Sequence, residues 1–209
     1  LIEFRNRYAN LFSRACANIY RCSDVPLNIA LNRWQAVMLR LLAPDRAVHT
    51  DPMLWHPDDT DENVAVHLIN GIAAVPMVSI DLAQYPQRHL EIIRYWIGFY
   101  NKHRATIIGG ELRPMLRGAH VPRIDFVGTD EIITGLYEDV AVRLHAEDKT
   151  QWVLNASTQP FVDFDIPLPH ACRVTARDKM GRTLYTAEFS PLPARLTVEI
   201  GGSLEIHPL

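Results

Sequence analysis

Residues 17–26 (ANIYRCSDVP) combine a short apolar segment, a polar end and a proline. An apolar run bounded in this way predicts a β-strand over residues 17–22 that ends at Ser23 and Asp24. Pro26 is placed to open a helix, because the first-turn N–H of a helix has no partner within it. The apolar residues that follow have the spacing of one helical face: Trp34, Val37, Met38, Leu41 and Leu42. The stretch therefore predicts a strand that leads into an amphipathic helix.

The same strand-then-helix pattern recurs through the first 117 residues. Further strands are predicted at 2–5, 47–50 and 75–82, and further helices at 59–72 and from Pro86 onward. Strands that alternate with helices form parallel sheets with crossover helices. Four such units make half of a (β/α)8 TIM barrel.

Beyond Gly118 the apolar period changes to two. Short strands with turn residues between them are predicted at 123–127, 131–137, 141–145, 151–155, 161–166, 172–176, 183–189, 196–200 and 203–207. Regular short strands of this kind indicate an antiparallel β-sandwich. The predicted domains are therefore residues 1–117, half of a barrel, and residues 118–209, the sandwich.

A half barrel leaves strands with unpaired backbone groups at both of its edges. The predicted strand at 2–5 also lies at the very start of the sequence, where a buried strand is unexpected. Both features predict that the chain is one part of a longer protein.

The composition excludes several functional classes. The net charge of −3, with scattered basic residues, gives no footprint for nucleic acid, and no apolar run is long enough to span a bilayer. The three cysteines form neither a disulfide framework nor a zinc motif, and their odd number favours a reducing, cytoplasmic compartment.

Polar residues stand where the predicted parallel strands end. They are Glu3 and Arg5, then Arg21 and Asp24, then His49 and Asp51. In barrel enzymes the reactive groups lie at the carboxyl ends of the strands. These residues therefore form the candidate site.

Asp24 has two interpretations. It follows an apolar strand and precedes Val25 and Pro26, so apolar surroundings would disfavour its carboxylate, as a general acid requires. Alternatively, Asp24 caps the amino end of the helix that Pro26 opens.

Two further interpretations concern residues just beyond the third strand. His49, Asp51 and His56 offer zinc-type ligands at short spacing, but no second cluster completes a metal shell. Trp55 either stacks on a sugar or packs in the core.

Several of these motifs, in order, resemble the melibiase-type α-galactosidases of glycoside hydrolase family 36. They are IEFR at 2–5, YRCSDVP at 20–26, AVHTDPMLWHP at 47–57 and WIGFYNKHR at 96–104, which precedes two glycines. The resemblance implies the C-terminal half of a TIM barrel followed by an antiparallel β-domain. It further implies a carbohydrate substrate, no cofactor, and compatibility with a homo-oligomer.

On this resemblance Asp24, which follows Arg21, matches the acid/base of a retaining glycosidase. Glu3, Arg5, Arg21 and Asp51 would bind the sugar hydroxyls. The family's nucleophile stands in a Lys-x-Asp motif on the fourth barrel strand, and this motif is absent from the chain. A retaining mechanism needs two carboxyls, so the segment alone is expected to be inactive. The alternative is a non-catalytic carbohydrate-binding or structural β-sandwich module.

Overall fold

The computed structural model describes residues 1–5, 9–145, 149–165 and 171–209. Its helices are α1 (Leu11–Cys16), α2 (Ile29–Leu42), α3 (Asp61–Gly71) and α4 (Gln87–Gly109), with a 3₁₀ turn at Leu82–Gln84. Its strands are β1 (Glu3–Arg5), β2 (Ile19–Arg21), β3 (Ala47–His49), β4 (Glu111–Arg117), β5 (His120–Val127), β6 (Glu131–Leu136), β7 (Thr150–Asn155), β8 (Phe161–Asp163), β9 (Cys172–Arg177), β10 (Thr183–Phe189), β11 (Arg195–Thr197) and β12 (Ser203–Pro208). The chain is thus a mixed α/β protein.

The first three strands form a parallel sheet in the order β1-β2-β3. Phe4, Tyr20 and Val48 lie in one register row and belong to the core that the sheet shares with the helices. Side chains alternate between the two faces of a strand. The neighbouring row, Arg5, Arg21 and His49, therefore lies on the face that points away from that core.

The strand predicted at 75–82 does not form as a continuous strand. Only two isolated bridges are present, from His49 to Val75 and from Met53 to Val78. Pro76 has no N–H to donate, and the N–H of Met77 donates to the side-chain oxygen of Thr50 at 2.8 Å. The described residues form an open sheet and no closed barrel, so the half-barrel remains a prediction.

Helix α2 begins later than Pro26. Its N-cap is Asn28, whose Oδ1 accepts from the N–H of Leu31 at 3.0 Å. Helix α3 is capped by Thr60 rather than Asp59, because the Thr60 hydroxyl is the group that accepts from Asn63. Side chains that reach the orphan N–H groups decided both starts.

The second half of the chain contains a seven-stranded sheet in the order β10-β9-β12-β7-β6-β5-β4. Strands β6 and β7 are parallel, so the prediction of a purely antiparallel sandwich was wrong in this respect. Only a bridge at Val142 forms within the predicted strand 141–145. Residue 166, the end of another predicted strand, lies outside the described residues. Strand β4, which contains Pro114, was not predicted. The proline is tolerated there because β4 is an edge strand of the sheet.

Both faces of this large sheet are covered. Residues of β5, β6 and β7 pack on the helices: Val121, Ile124, Phe126, Ile133, Trp152 and Leu154. The opposite face packs on the two-stranded sheet of β8 and β11 through Val153, Val162, Val174, Leu196, Leu204 and Ile206. The predicted boundary at 117/118 falls in the hairpin between β4 and β5. No helix in the described ranges is long and apolar enough to cross a membrane.

The junction between α4 and the large sheet is tightly packed at Gly110. A Cβ placed on Gly110 would lie 2.4 Å from the carbonyl oxygen of Thr106 and 2.7 Å from that of Val127. A Cβ on the preceding Gly109 would meet nothing within 4 Å. Only the second glycine of the pair is therefore required by close backbone packing.

Glu131, the first residue of β6, binds two side chains of helix α4. Its carboxylate lies 2.8 Å from Nδ1 of His103 and accepts from the Thr106 hydroxyl at 2.7 Å. Burial acts to raise the pKa of Glu131, but the hydrogen bonds from His103 and Thr106 outweigh it and hold the pKa below its usual value. The ionised form is therefore the one that the folded protein stabilises.

Glu131→Gln is expected to lower the free energy of unfolding at pH 7 by about 1.5–3 kcal/mol, the range for hydrogen bonds to a charged group. A lowered folded-state pKa contributes stability above the unfolded value, about 4.3, and this contribution is lost as pH falls through the folded value. The difference between wild type and variant should therefore shrink in acid. Urea unfolding between pH 7 and pH 3 measures it. Glu188→Gln, which removes an exposed partner of Arg173, is the control, and a pH-independent difference would contradict the assignment.

Candidate functional site at the carboxyl ends of the parallel strands

Arg5, Arg21 and His49 are the last residues of β1, β2 and β3 and occupy one register row. Parallel pairing brings these three strand ends to one edge of the sheet, on the face that points away from the helices. The short apolar strands thus place polar side chains from three separate segments side by side.

Glu3 links the strands on this face. Its Oε1 lies 3.2 Å from Nδ1 of His49 and 3.8 Å from Nε of Arg21. Nε of Arg21 is buried and has no hydrogen-bond partner in the part of the chain that the structure describes. The arrangement therefore contains a guanidinium group with an unused donor beside a carboxylate and an imidazole.

Asp51 lies on the other side of Arg21, with Oδ1 4.0 Å from the guanidinium group. It is 5% exposed, and its Oδ2 accepts from the backbone N–H of Val25 at 2.7 Å. Asn32 of α2 binds the Asp51 backbone in both directions, at 2.9 and 3.0 Å. Asp51 therefore fixes the loop after β2 to the end of β3.

Asp24 does not lie in apolar surroundings, and this expectation was wrong. Its side chain is 65% exposed and forms an ion pair of 3.0 Å with Arg5. It does not cap α2 either, since Asn28 does so. Its backbone has φ +47°, in the left-handed region, where aspartate is among the tolerated residues. The turn thus directs the carboxylate to the open side of the sheet edge, beside β1.

The other sequence-based interpretations do not converge on this edge. The imidazole of His56 contacts Asp58 in the following turn, and no group of three potential metal ligands occurs in the part of the chain that the structure describes. Trp55 is 2% exposed and packs against His67 and Tyr85. Burial raises the pKa of Cys22, the residue after Arg21, to about 12, which leaves its thiol inert at neutral pH.

Strand β1 is more open than the sequence suggested. Its residues are exposed or half-buried, and it pairs with β2 alone in the described sheet. Exposed apolar side chains also occur just before β1 and at the start of α1: Leu1, Ile2, Leu11 and Phe12. The free edge of β1 is therefore suited to pairing with another strand.

Sequence reasoning missed the residues of α2 that hold the site. Asn32 binds Asp51, and Gln35 accepts from the N–H of Ser23 at 2.7 Å. Both side chains are buried. Their three-residue spacing puts them on one helical face, so two polar residues on the inward face of a predicted amphipathic helix were the available signal.

The site offers hydrogen-bonding groups of both kinds. Arg5 and Arg21 are donors, Glu3, Asp24 and Asp51 are acceptors, and His49 can act as either. The opposing charges nearly balance. Such a set suits a neutral, hydroxyl-rich ligand better than a strongly charged one.

The fold and site define a mixed α/β protein with a polar cluster at the carboxyl edge of its small parallel sheet. No protein-family model matches the sequence, and no curated protein matches it. Among solved structures, the GH30 endoxylanase from Clostridium papyrosolvens C71 has a TM-score of 0.45 and 11% identity over 96% of this chain. The chain corresponds to 51% of the length of that protein.

Proposed function

We propose that the chain is the carboxyl-terminal part of a retaining glycoside hydrolase that cleaves terminal α-galactosides. The observation that carries the proposal is the row Arg5, Arg21 and His49, with Glu3 and Asp51 beside it, at the ends of three parallel strands. Strand ends of this kind hold the reacting groups of barrel enzymes. The resemblance to family 36 in the same segments supplies the α-galactoside.

In this proposal Asp24 donates a proton to the leaving glycosidic oxygen and later removes one from water. Its ion pair with Arg5 would break or rearrange when a sugar enters, because both groups are exposed in the chain described here. Glu3, Arg21 and Asp51 would hold the sugar hydroxyls.

The second carboxyl of a retaining pair lies about 5 Å from the first. We place this nucleophile on a further parallel strand that pairs with the free edge of β1. The exposed apolar side chains of Leu11 and Phe12 on α1 would pack against the helix attached to that strand. Asp24, next to Arg5 at this edge, would then lose its exposure and gain the desolvated surroundings that an acid needs.

Hydrolysis of a panel of aryl α-glycosides tests the proposal. Two proteins are compared: the chain of 209 residues and the same chain extended upstream through the coding sequence. Cleavage of an α-galactoside by the extended protein alone is the expected result. Activity of the short chain would contradict the assignment of the nucleophile, and inactivity of both on every glycoside would contradict the proposed enzyme.

The exposure of Asp24 favours a second candidate, a non-catalytic carbohydrate-binding or structural module. An exposed carboxylate that is paired with Arg5 is suited to hydrogen bonding with a ligand, and it lacks the apolar surroundings of a general acid. Calorimetric titration of the extended protein with an alkyl α-galactoside, together with an assay of its hydrolysis, separates the two candidates. Binding without hydrolysis would support the module.

A further inference from the structure

A cavity of about 780 Å³ lies at the opposite end of the small parallel sheet from the candidate site. It is bounded by the carboxyl-terminal ends of α2 and α4, the start of β3 and the start of β4. It is thus separate from Asp24 and its neighbours, and the proposed glycosidase chemistry does not use it.

Arg40 forms one wall of this cavity. Its guanidinium group donates to the carbonyl oxygens of Ala73 at 2.9 Å and Ile108 at 3.3 Å. It has no carboxylate partner within the described ranges. Burial lowers the pKa of Arg40 to about 10, so a half-buried positive charge lies here without a carboxylate beside it among the described residues.

Tyr100, Arg104 and Ile108 lie at i, i+4 and i+8 on α4 and line the same cavity. The hydroxyl of Tyr100 is buried and has no hydrogen-bond partner among the described residues. Burial raises the pKa of Tyr100, while the positive charges of Arg104 and Arg40 oppose that rise. Both guanidinium groups therefore act on one unpartnered hydroxyl.

The carboxylates in and beside the cavity are already paired with other arginine residues. The only carboxylate in the described lining is Glu111, which Arg113 binds at 2.7 Å. Asp45, beside the cavity, is bound by Arg14 and Arg46 at 2.8 Å each. Arg40 and Arg104 thus remain as an excess of positive charge.

The remaining wall is apolar. Leu41 is 46% exposed and Ile108 is 40% exposed, and Pro44 and Leu112 complete this side. The cavity therefore offers cationic groups that can bind an anion and, beside them, apolar side chains that can bind a hydrocarbon group.

Basic residues near the carboxyl-terminal ends of helices also bind terminal carbonyls and offset the helix dipole. This structural role accounts for Arg40, which binds two such oxygens. It does not account for Arg104, which lines the cavity and has no carboxylate partner among the described residues. Its positive charge therefore remains available to an anion in the cavity.

We propose that this cavity binds a small organic anion with an apolar body, of the alkyl carboxylate class. The carboxylate would accept from the guanidinium groups of Arg40 and Arg104. The alkyl chain would lie along Leu41 and Ile108. The site goes beyond the proposed glycosidase activity and does not depend on it.

Calorimetric titration with sodium octanoate at constant ionic strength tests the site. Arg104→Gln is expected to weaken octanoate binding about tenfold, the effect of losing one charged hydrogen bond. Arg94→Gln removes the same charge from the same helix outside the cavity and should leave binding unchanged. Arg104 is exposed, so its replacement should not unfold the protein.

Tyr100→Phe supplies a second control. Its hydroxyl is buried beyond the reach of a ligand in the cavity, so its removal should leave octanoate binding unchanged and the thermal midpoint unchanged or raised. Weaker binding of 1-octanol and of inorganic phosphate than of octanoate is expected. The proposal is overturned if octanoate gives no heat at millimolar concentration, if octanol binds as tightly, or if both arginine variants weaken binding equally.

Discussion

Asp24→Asn, made in the protein extended upstream, is expected to lower kcat/KM for α-galactosides by about a hundredfold to ten-thousandfold, the range of general acid–base catalysis. Asparagine keeps the shape of the side chain and tolerates the left-handed backbone at φ +47°. The loss would therefore reflect the missing proton rather than a changed turn.

The dependence on the leaving group identifies the role. A nitrophenolate leaves with little help from an acid, whereas an alkoxide needs a proton in the transition state. The loss in the glycosylation step should accordingly be larger for an alkyl galactoside than for an activated aryl one. Asp58→Asn is the matched control, since Asp58 is a highly exposed aspartate in the turn after β3. Equal kcat/KM values for Asp24→Asn and wild type on both substrates would remove Asp24 from the mechanism.

Gly110→Ala is expected to destabilise the protein by about 1–3 kcal/mol, the range for overpacking. Its new methyl group would overlap two backbone oxygens, those of Thr106 and Val127. Neither oxygen belongs to a flexible side chain, so relief requires α4 to shift relative to β5. At this chain length each kcal/mol corresponds to about 2–4 °C in Tm.

Gly109→Ala should have the opposite sign. Gly109 is the last residue of α4, with open space around it, and alanine in a helix gains up to about 1 kcal/mol over glycine. Thermal unfolding of the two variants beside wild type measures both effects. Equal changes in Tm would show that close packing at Gly110 does not govern the junction.

The apolar periods in the sequence located most of the elements. Strands β2 and β3, helix α4 and the strands from β5 onward each have a clear period. Strand direction is different, because a period of two is the same for parallel and antiparallel pairs. The parallel pairing of β6 and β7 could therefore not be predicted from the apolar period alone.

The positions of the strand ends predicted that several of the candidate residues would lie close together. Glu3, Arg21, His49 and Asp51 meet at one edge, as expected of parallel strands. The surroundings of Asp24 could not be predicted in this way. Exposure depends on which elements pack over a loop, and a few apolar neighbours in sequence do not determine that.

The strand predicted at residues 75–82 does not form, and the reason is local. Val75 and Val78 reach their neighbours only as single bridges, and Pro76 between them cannot donate to a ladder. Side-chain oxygens likewise determine where the helices begin. The Asn28 side chain caps α2, which therefore begins later than predicted. Individual hydrogen bonds of this kind are decided by three-dimensional contacts rather than by periodicity.

The core shared by the helices and the large sheet has a consequence for how this protein can be recombined. Phe126 and Trp152 lie in the same apolar cluster as Val37 and Leu68. Cutting the chain at the hairpin after β4 would expose the apolar sides of both pieces. Neither piece could be grafted onto an unrelated protein without repacking that face, so insertions should be tolerated better at the loop between β10 and β11 than at the midpoint of the chain.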